Sequence, residues 1–207
     1  MIHTLYYVHD PMCAWCYAFA PTFEKIKENL ASNIKIEYVP GGLAPHTNEP
    51  MPQDMREKIE SIWYQIEEVV GTKFNHDFWT KCTPRRSTYL SCQASLAAKE
   101  QGKEEQMIKA IQEAYYLKAM NPSNEDTMIQ LAIELDLDVE KFKESLSSEE
   151  TIEIFNEKLN LRRKLHLNSF PSLAIKYKKE VYPINIKYNE PEAVLKQIEN
   201  ITQNVYF

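Results

Sequence analysis

Segments with strand-like patterns lie at the two ends of this chain, and a long helix-like stretch separates them. Residues 2–8 and 34–39 flank a helix-like run, which predicts two parallel strands joined by a right-handed crossover. Residues 172–177 and 180–184 predict an antiparallel hairpin, and a last helix begins near Pro191. Because neither half can stand alone as a sheet, we predict an α/β fold in which both halves build one sheet.

Residues 51–166 are helix-like almost throughout, with apolar residues recurring three and four positions apart. Only four glycines occur among 207 residues, which also favours a helix-rich chain. We therefore predict a sheet domain formed by residues 1–50 and 167–207. A helical domain of residues 51–166 is expected to be inserted between its β-α-β half and its β-β-α half.

Two cysteines, Cys13 and Cys16 in the sequence Cys-Ala-Trp-Cys, lie between the first strand-like segment and the first helix-like run. A thiol at a helix N-terminus lies near unpaired N–H groups and the positive end of the helix dipole, and both favour the nucleophilic thiolate. A sulfur one helical turn later can close an intramolecular disulfide, so this context predicts a redox pair. Half of a zinc site and two buried thiols are the alternatives. The sequence has no second pair with this spacing, so we expect no metal.

Pro171 stands immediately before the third strand-like segment and suggests a cis peptide bond with Phe170. Bonds to proline adopt the cis form at a cost of only about 0.5–1 kcal/mol. Such a turn would present the backbone of Phe170 beside the reactive sulfur, where an extended substrate segment can pair with it. An ordinary trans proline at the start of a strand is the alternative.

The formal net charge of −6 and the isoelectric point near 5.5 argue against a nucleic-acid partner, because phosphate binding needs a basic surface. The sequence has no run of 18 or more apolar residues, so no membrane span is expected.

Strand-like sequence begins at Ile2, which leaves no room for a removable leader and predicts a cytoplasmic protein. The short basic cluster Arg85-Arg86 is expected to be a solvated helix end rather than an anion site.

The segment from Asp10 to Pro21, Asp-Pro-Met-Cys-Ala-Trp-Cys-Tyr-Ala-Phe-Ala-Pro, resembles the active-site segment of DsbA-type thioredoxin-fold thiol:disulfide oxidoreductases, especially their FrnE-like cytosolic branch. Residues 41–43 (Gly-Gly-Leu), 114–116 (Ala-Tyr-Tyr) and 170–173 (Phe-Pro-Ser-Leu) agree with that family in the right order. The resemblance covers nearly the whole chain. It implies a thioredoxin-like fold with a large all-helical insertion.

The same resemblance implies roles for individual residues. Cys13 would be the exposed nucleophile and Cys16 the buried resolving thiol. Pro171 would be the cis-proline, Phe170 would lend its backbone to substrate, and Trp15 is expected to be exposed at the site, where it can contact a peptide. The Ala-Trp pair lacks the histidine of the periplasmic oxidants, so we expect a reduction potential between about −120 and about −270 mV.

These inferences predict thiol–disulfide exchange by an oxidoreductase similar to protein disulfide isomerases, acting on protein or small-molecule disulfides and dithiols. A redox partner is required but not identified, and no cofactor is expected apart from glutathione as an optional co-substrate. The alternative is a glutathione-dependent transferase or isomerase of the kappa or hydroxychromene-carboxylate isomerase type. Those proteins generally keep a single serine where Cys13 stands, so the retained pair favours redox chemistry.

Five other residues are weaker candidates. Cys82 and Cys92 could form a second redox pair, although Cys92 also fits a small core residue beside leucines. A buried acid that would move the proton of the resolving thiol has no clear candidate. Glu24 and Glu37 are the nearest choices, and each also fits a solvated surface position. His9 would favour the thiolate if it were charged, or else it packs at a strand end.

Overall fold

A computed structural model describes residues 2–203, so Met1 and residues 204–207 at the outer ends of the predicted sheet domain lie outside the described part. The elements of the first half are β1 His3–His9, α1 Ala14–Glu28, β2 Ile34–Pro40, α2 Gln53–Val70, α3 Asp77–Lys81, α4 Tyr89–Lys99 and α5 Glu104–Tyr116. Those of the second half are α6 Glu125–Glu134, α7 Val139–Leu146, α8 Glu149–Lys164, β3 Ser172–Tyr177, β4 Glu180–Ile184 and α9 Pro191–Thr202.

The four strands form one mixed sheet in the order β2-β1-β3-β4. β1 pairs with β2 in parallel and with β3 antiparallel, so that Leu5 lies between Ile36 and Ile175. β3 and β4 form the predicted antiparallel hairpin. The two ends of the chain therefore complete a single sheet, and the prediction of a thioredoxin-like α/β fold with helices α2–α8 between its halves is confirmed.

The main core lies between the sheet and the two helices α1 and α9. Leu5 and Phe23 are buried in it from β1 and α1, and Val194 and Ile198 are buried in it from α9. Ile108 from α5 joins the same cluster, so the helical segment packs onto the sheet through apolar side chains. Each fully buried side chain of this size stabilises the fold by about 1.5–3 kcal/mol relative to exposure.

The start of α1 matters for the site. The sequence analysis placed both cysteines before the helix, whereas α1 begins at Ala14, so Cys16 lies inside the helix and Cys13 is its N-cap residue. Pro21 lies inside α1, and the helix continues beyond it to Glu28. The five-residue α3 has no counterpart in the sequence prediction, because so short a helix carries little periodicity. None of the described helices is long and apolar enough to cross a membrane.

Candidate active site

The two cysteines of the Cys-Ala-Trp-Cys sequence occupy the start of α1 as free thiols. Cys16 is fully buried, as expected. Cys13 is only 8% exposed, so the expectation of an openly exposed nucleophile is corrected. Its access to solvent is through a cavity of about 400 Å³ that it lines together with Met12, Trp15 and Phe170. The surrounding side chains therefore restrict the direction from which a substrate sulfur can reach Cys13.

The two thiols have different protonation behaviour. Burial raises the pKa of Cys16 well above its ordinary value, and the hydrogen bond and charge of Cys13 raise it further. Burial removes water that would solvate a thiolate, and a neighbouring thiolate repels a second negative charge. Burial and the adjacent Cys13 sulfur therefore both favour the protonated thiol form of Cys16.

The strand pairing of β1 with β3 brings residues 170 and 171 beside the cysteines. The register places Val8 opposite Ser172, so the residues just before β3 meet the residues just after β1. The Phe170–Pro171 peptide bond is cis, as predicted. The Cys13 thiol donates to the carbonyl oxygen of Phe170, with 3.7 Å between sulfur and oxygen. The backbone of Phe170 therefore lies against the sulfur of Cys13, across 157 residues of sequence.

The ring of Phe170 is held between two neighbours. Arg162 lies over one face of the ring, 5.3 Å from its centroid. Gly41 approaches the ring so closely that a Cβ atom at this position would lie within 2.8 Å of three ring carbons. Ordinary carbon–carbon contacts are about 3.5–4.0 Å, so only glycine fits here. Gly41 also donates its N–H to the carbonyl oxygen of His9 at the end of β1.

A buried carboxylate that the sequence analysis did not assign lies directly behind the cysteine pair. Asp10 has no exposed surface and accepts hydrogen bonds from the Met12 N–H (2.9 Å), the Leu43 N–H (2.8 Å) and the Thr88 hydroxyl (2.7 Å). Burial raises the pKa of Asp10, and the bonds from Leu43, Thr88 and Met12 act in the opposite direction. The only sequence feature that pointed to a buried acid at the site was the position of Asp10, an acidic residue at a strand end beside the cysteines.

The carboxylates named from the sequence are not buried acids. Glu24 forms a surface ion pair with Lys27, and Glu37 forms one with Lys158. Asp10 instead joins three segments, namely the turn before α1, the loop after β2 and the start of α4. It therefore ties the turn that carries Met12, immediately before Cys13, to the loop after β2 and to the start of α4.

The other two cysteines do not form a pair in this structure. The Cys92 thiol is fully buried on α4 and donates to the Asp10 carboxylate, with 3.5 Å between sulfur and oxygen. The Cys82 thiol is partly exposed and donates to the carbonyl oxygen of Ala119 at 3.0 Å. The placement of Cys92 agrees with a core residue. Burial raises the pKa of both thiols.

His9 supplies no positive charge to the site. It is fully buried, stacks on Tyr7 and meets the edge of Tyr38. Neither ring nitrogen has a hydrogen-bond partner among residues 2–203, and burial lowers its pKa to about 3. The histidine is therefore neutral at physiological pH, which excludes the charged role considered for it.

The structure differs from the sequence expectation at Trp15 and at the two arginines. Trp15 is half-buried rather than exposed, because its ring packs against Tyr188 at 5.4 Å while it lines the cavity. Arg85 bonds to the Ser123 carbonyl oxygen and to Asn124, and Arg86 lines the cavity beside Cys13. The expectation that both arginines form a solvated helix end was wrong.

Residues 6–197 match the family described as Thioredoxin. The chain belongs to the thioredoxin family. A candidate protein disulfide isomerase from Nitrosomonas europaea has the same fold, with a TM-score of 0.84, 24% identity and 100% of both chains covered. The cytosolic disulfide reductase DsbM from Pseudomonas aeruginosa superposes with a TM-score of 0.81 at 21% identity, over 97% of this chain and 99% of that one. At these identities the two structures show the shared fold.

Among curated proteins, the chain is similar to ClpXP adapter proteins called SpxH. It is 28% identical over 150 residues to the one from Halalkalibacterium halodurans, which covers 70% of this chain and 49% of the relative. The Bacillus subtilis protein is 21% identical over 172 residues, covering 82% of this chain and 56% of the relative. The chain thus spans about half the length of these family relatives.

Proposed function

We propose that this protein carries out thiol–disulfide exchange, with Cys13 as the nucleophile and Cys16 as the resolving thiol. The observation that carries the proposal is the placement of the Cys13 sulfur. Cys13 is the N-cap residue of α1, its sulfur lies 3.7 Å from the Phe170 carbonyl oxygen, and it lines an open cavity, with the fully buried Cys16 one turn behind. A helix N-terminus stabilises the thiolate that attacks a disulfide.

The exchange proceeds in two steps. The Cys13 thiolate attacks one sulfur of a substrate disulfide, so that an S–S bond to Cys13 forms and the substrate S–S bond breaks with release of a thiolate. Cys16 then loses its proton to the released thiolate or to solvent and attacks the Cys13 sulfur. The second substrate thiolate leaves, and two electrons have passed from the cysteine pair to the substrate.

We propose the reductive direction, in a cytosolic setting, with a thiol such as glutathione restoring the cysteine pair. The structurally similar DsbM is named as a cytosolic disulfide reductase and has also been crystallised with glutathione. The Ala-Trp spacer of the pair carries no histidine. Isomerisation of protein disulfides begins with the same attack by Cys13 and is the alternative to net reduction.

Single cysteine variants test this proposal. Reduction of a protein disulfide and of a small disulfide is measured with Cys13→Ser, Cys16→Ser and, as a matched control, Cys82→Ser. We expect both site variants to lose turnover and the control to keep it. Normal turnover by Cys13→Ser would refute the proposal. Glutathione conjugation by both the wild type and Cys16→Ala, with no disulfide reduction by the wild type, would favour the transferase alternative instead.

A second candidate function comes from the curated relatives, which are named as ClpXP adapter proteins. An adapter binds a client protein and delivers it, which requires a surface rather than a reactive thiol. A variant with both Cys13 and Cys16 replaced by serine separates the two functions. Accelerated ClpXP degradation of a client by this double variant would support the adapter function without redox chemistry.

A further inference from the structure

The cavity beside Cys13 has a chemical character that thiol–disulfide exchange alone does not require. Its wall on the α2 side consists of apolar side chains, with Met55, Ile59 and Ile62 among them. Two cations also line it, Lys58 from the same helix and Arg86 from the segment before α4. The described residues that line the cavity include no carboxylate. The cavity therefore combines apolar surface with two cationic side chains close to the reactive sulfur.

Arg86 and Lys58 differ from the neighbouring Arg85 in their polar contacts. Within residues 2–203, neither the Arg86 nor the Lys58 side chain makes an ion pair or a hydrogen bond. The adjacent Arg85 shows the contrast, because its guanidinium bonds to the Ser123 carbonyl oxygen and to Asn124. Arg86 is partly buried, where the lower dielectric makes an unpaired charge interact more strongly with an incoming anion.

We infer that this cavity selects low-molecular-weight disulfides that carry a carboxylate close to the S–S bond, with Arg86 as the anion-binding residue and Lys58 in support. The inference rests on the proposed exchange at Cys13. A cavity of about 400 Å³ falls in the range that holds small molecules rather than a folded protein surface. A planar guanidinium binds a carboxylate through two parallel hydrogen bonds, and the apolar wall takes the carbon chain.

The binding step precedes an exchange whose atoms and electrons balance. The carboxylate pairs with Arg86 while the near sulfur of the disulfide reaches the Cys13 thiolate. The first R–S⁻ leaves, Cys16 attacks Cys13, and the second R–S⁻ leaves with the cysteine pair oxidised. A dithiol reductant present in the assay then restores the pair. Arg86 takes no part in bond making, so its effect falls on substrate binding.

Three small disulfides of similar size and different charge test the inference: dithiodipropionate (a dianion), hydroxyethyl disulfide (neutral) and cystamine (a dication). Turnover is measured with dithiothreitol as reductant, after subtraction of the uncatalysed rate. For the wild type we expect kcat/KM to be roughly tenfold higher for the dianion than for the neutral disulfide, and lowest for the dication. In Arg86→Gln the ratio of kcat/KM for the dianion to kcat/KM for the neutral disulfide should fall to about one, mainly through a higher KM for the dianion.

The control variant is Lys196→Gln, which makes the same charge change on the exposed face of α9. It should retain the wild-type order of the three disulfides. Equal kcat/KM values for all three disulfides in the wild type, or an unchanged preference in Arg86→Gln, would overturn the inference while leaving the exchange function intact. Failure of the wild type to turn over any disulfide, including a protein disulfide, would instead refute the proposed function.

Discussion

Adding a single methyl group at Gly41 should displace Phe170 and thereby disturb the site. In Gly41→Ala the new Cβ would lie at 2.7 Å from Cδ1 and 2.8 Å from Cζ of the Phe170 ring, about 1 Å short of an ordinary contact. Arg162 lies over the same ring and limits its retreat. Overpacking of this kind costs about 1–3 kcal/mol in the free energy of unfolding. A displacement near 1 Å at a reacting centre can lower the rate roughly 100-fold.

Urea denaturation and the rate of disulfide reduction measure the two effects of Gly41→Ala. The matched comparison is the same substitution made in a Phe170→Ala background, where the ring that the methyl group meets is absent. Phe170 is partly buried, so Phe170→Ala alone should cost less than the roughly 3–5 kcal/mol lost when a fully buried phenylalanine is truncated. Because the clash is removed, Gly41→Ala should add almost nothing to that cost, and the double variant should have the reduction rate of Phe170→Ala.

Additive effects of the two substitutions would refute this reasoning, since additivity means that Gly41 and Phe170 do not interact. Wild-type stability and rate in Gly41→Ala alone would refute it as well. Gly41 has no positive φ angle, so alanine brings no backbone strain that could produce the same loss by another route.

Three further predictions concern the surroundings of the cysteines. Asp10→Ala should lower the free energy of unfolding by roughly 3 kcal/mol in urea, because buried N–H donors lose their acceptor, whereas Glu24→Ala at the surface should cost under about 0.5 kcal/mol. Since the pKa of His9 falls to about 3 on folding, only the unfolded chain takes up its proton between pH 6.5 and 3. Stability should therefore fall by up to about 1.4 kcal/mol per pH unit below pH 6.5, and His9→Phe should remove that part while the exposed His46→Gln should not. Cys16→Ala should form a mixed disulfide with substrate at Cys13 and fail to resolve it, which intact mass spectrometry detects; wild-type turnover by this variant would contradict the role of Cys16.

The strands, most helices and the cysteine pair could be predicted because their signals are local. A short strand-like run marks β1, alternation of apolar and polar residues marks β2, and apolar spacing marks the helices. The prediction at Phe170 and Pro171 also succeeded, because a proline immediately before a strand is visible in the sequence. These features require no knowledge of which segments meet in space.

The parts that sequence reasoning missed all depend on contacts between distant segments. The Asp10 carboxylate binds Leu43 and Thr88, which are 33 and 78 residues away, so its role was not visible beside the cysteines. Gly41 matters only because the ring of Phe170 packs on it, and Arg86 only because its loop borders the cavity. His9 was open to a charged role until its burial was known.

The accessible thiols make the central claim directly testable. Cys82 is partly exposed and Cys13 is 8% exposed, so exposure alone would favour reaction at Cys82. Our account favours Cys13, because it caps α1, while burial raises the pKa of Cys82 and its thiol donates to a carbonyl oxygen.

The decisive measurement is to locate the mixed disulfide in the Cys16→Ser variant. The variant reacts with a substoichiometric amount of a disulfide at neutral pH, and peptide mass spectrometry then identifies the modified cysteine. We expect the adduct on Cys13. An adduct found mainly on Cys82, or spread in proportion to exposure, would contradict the assignment of Cys13 as the nucleophile.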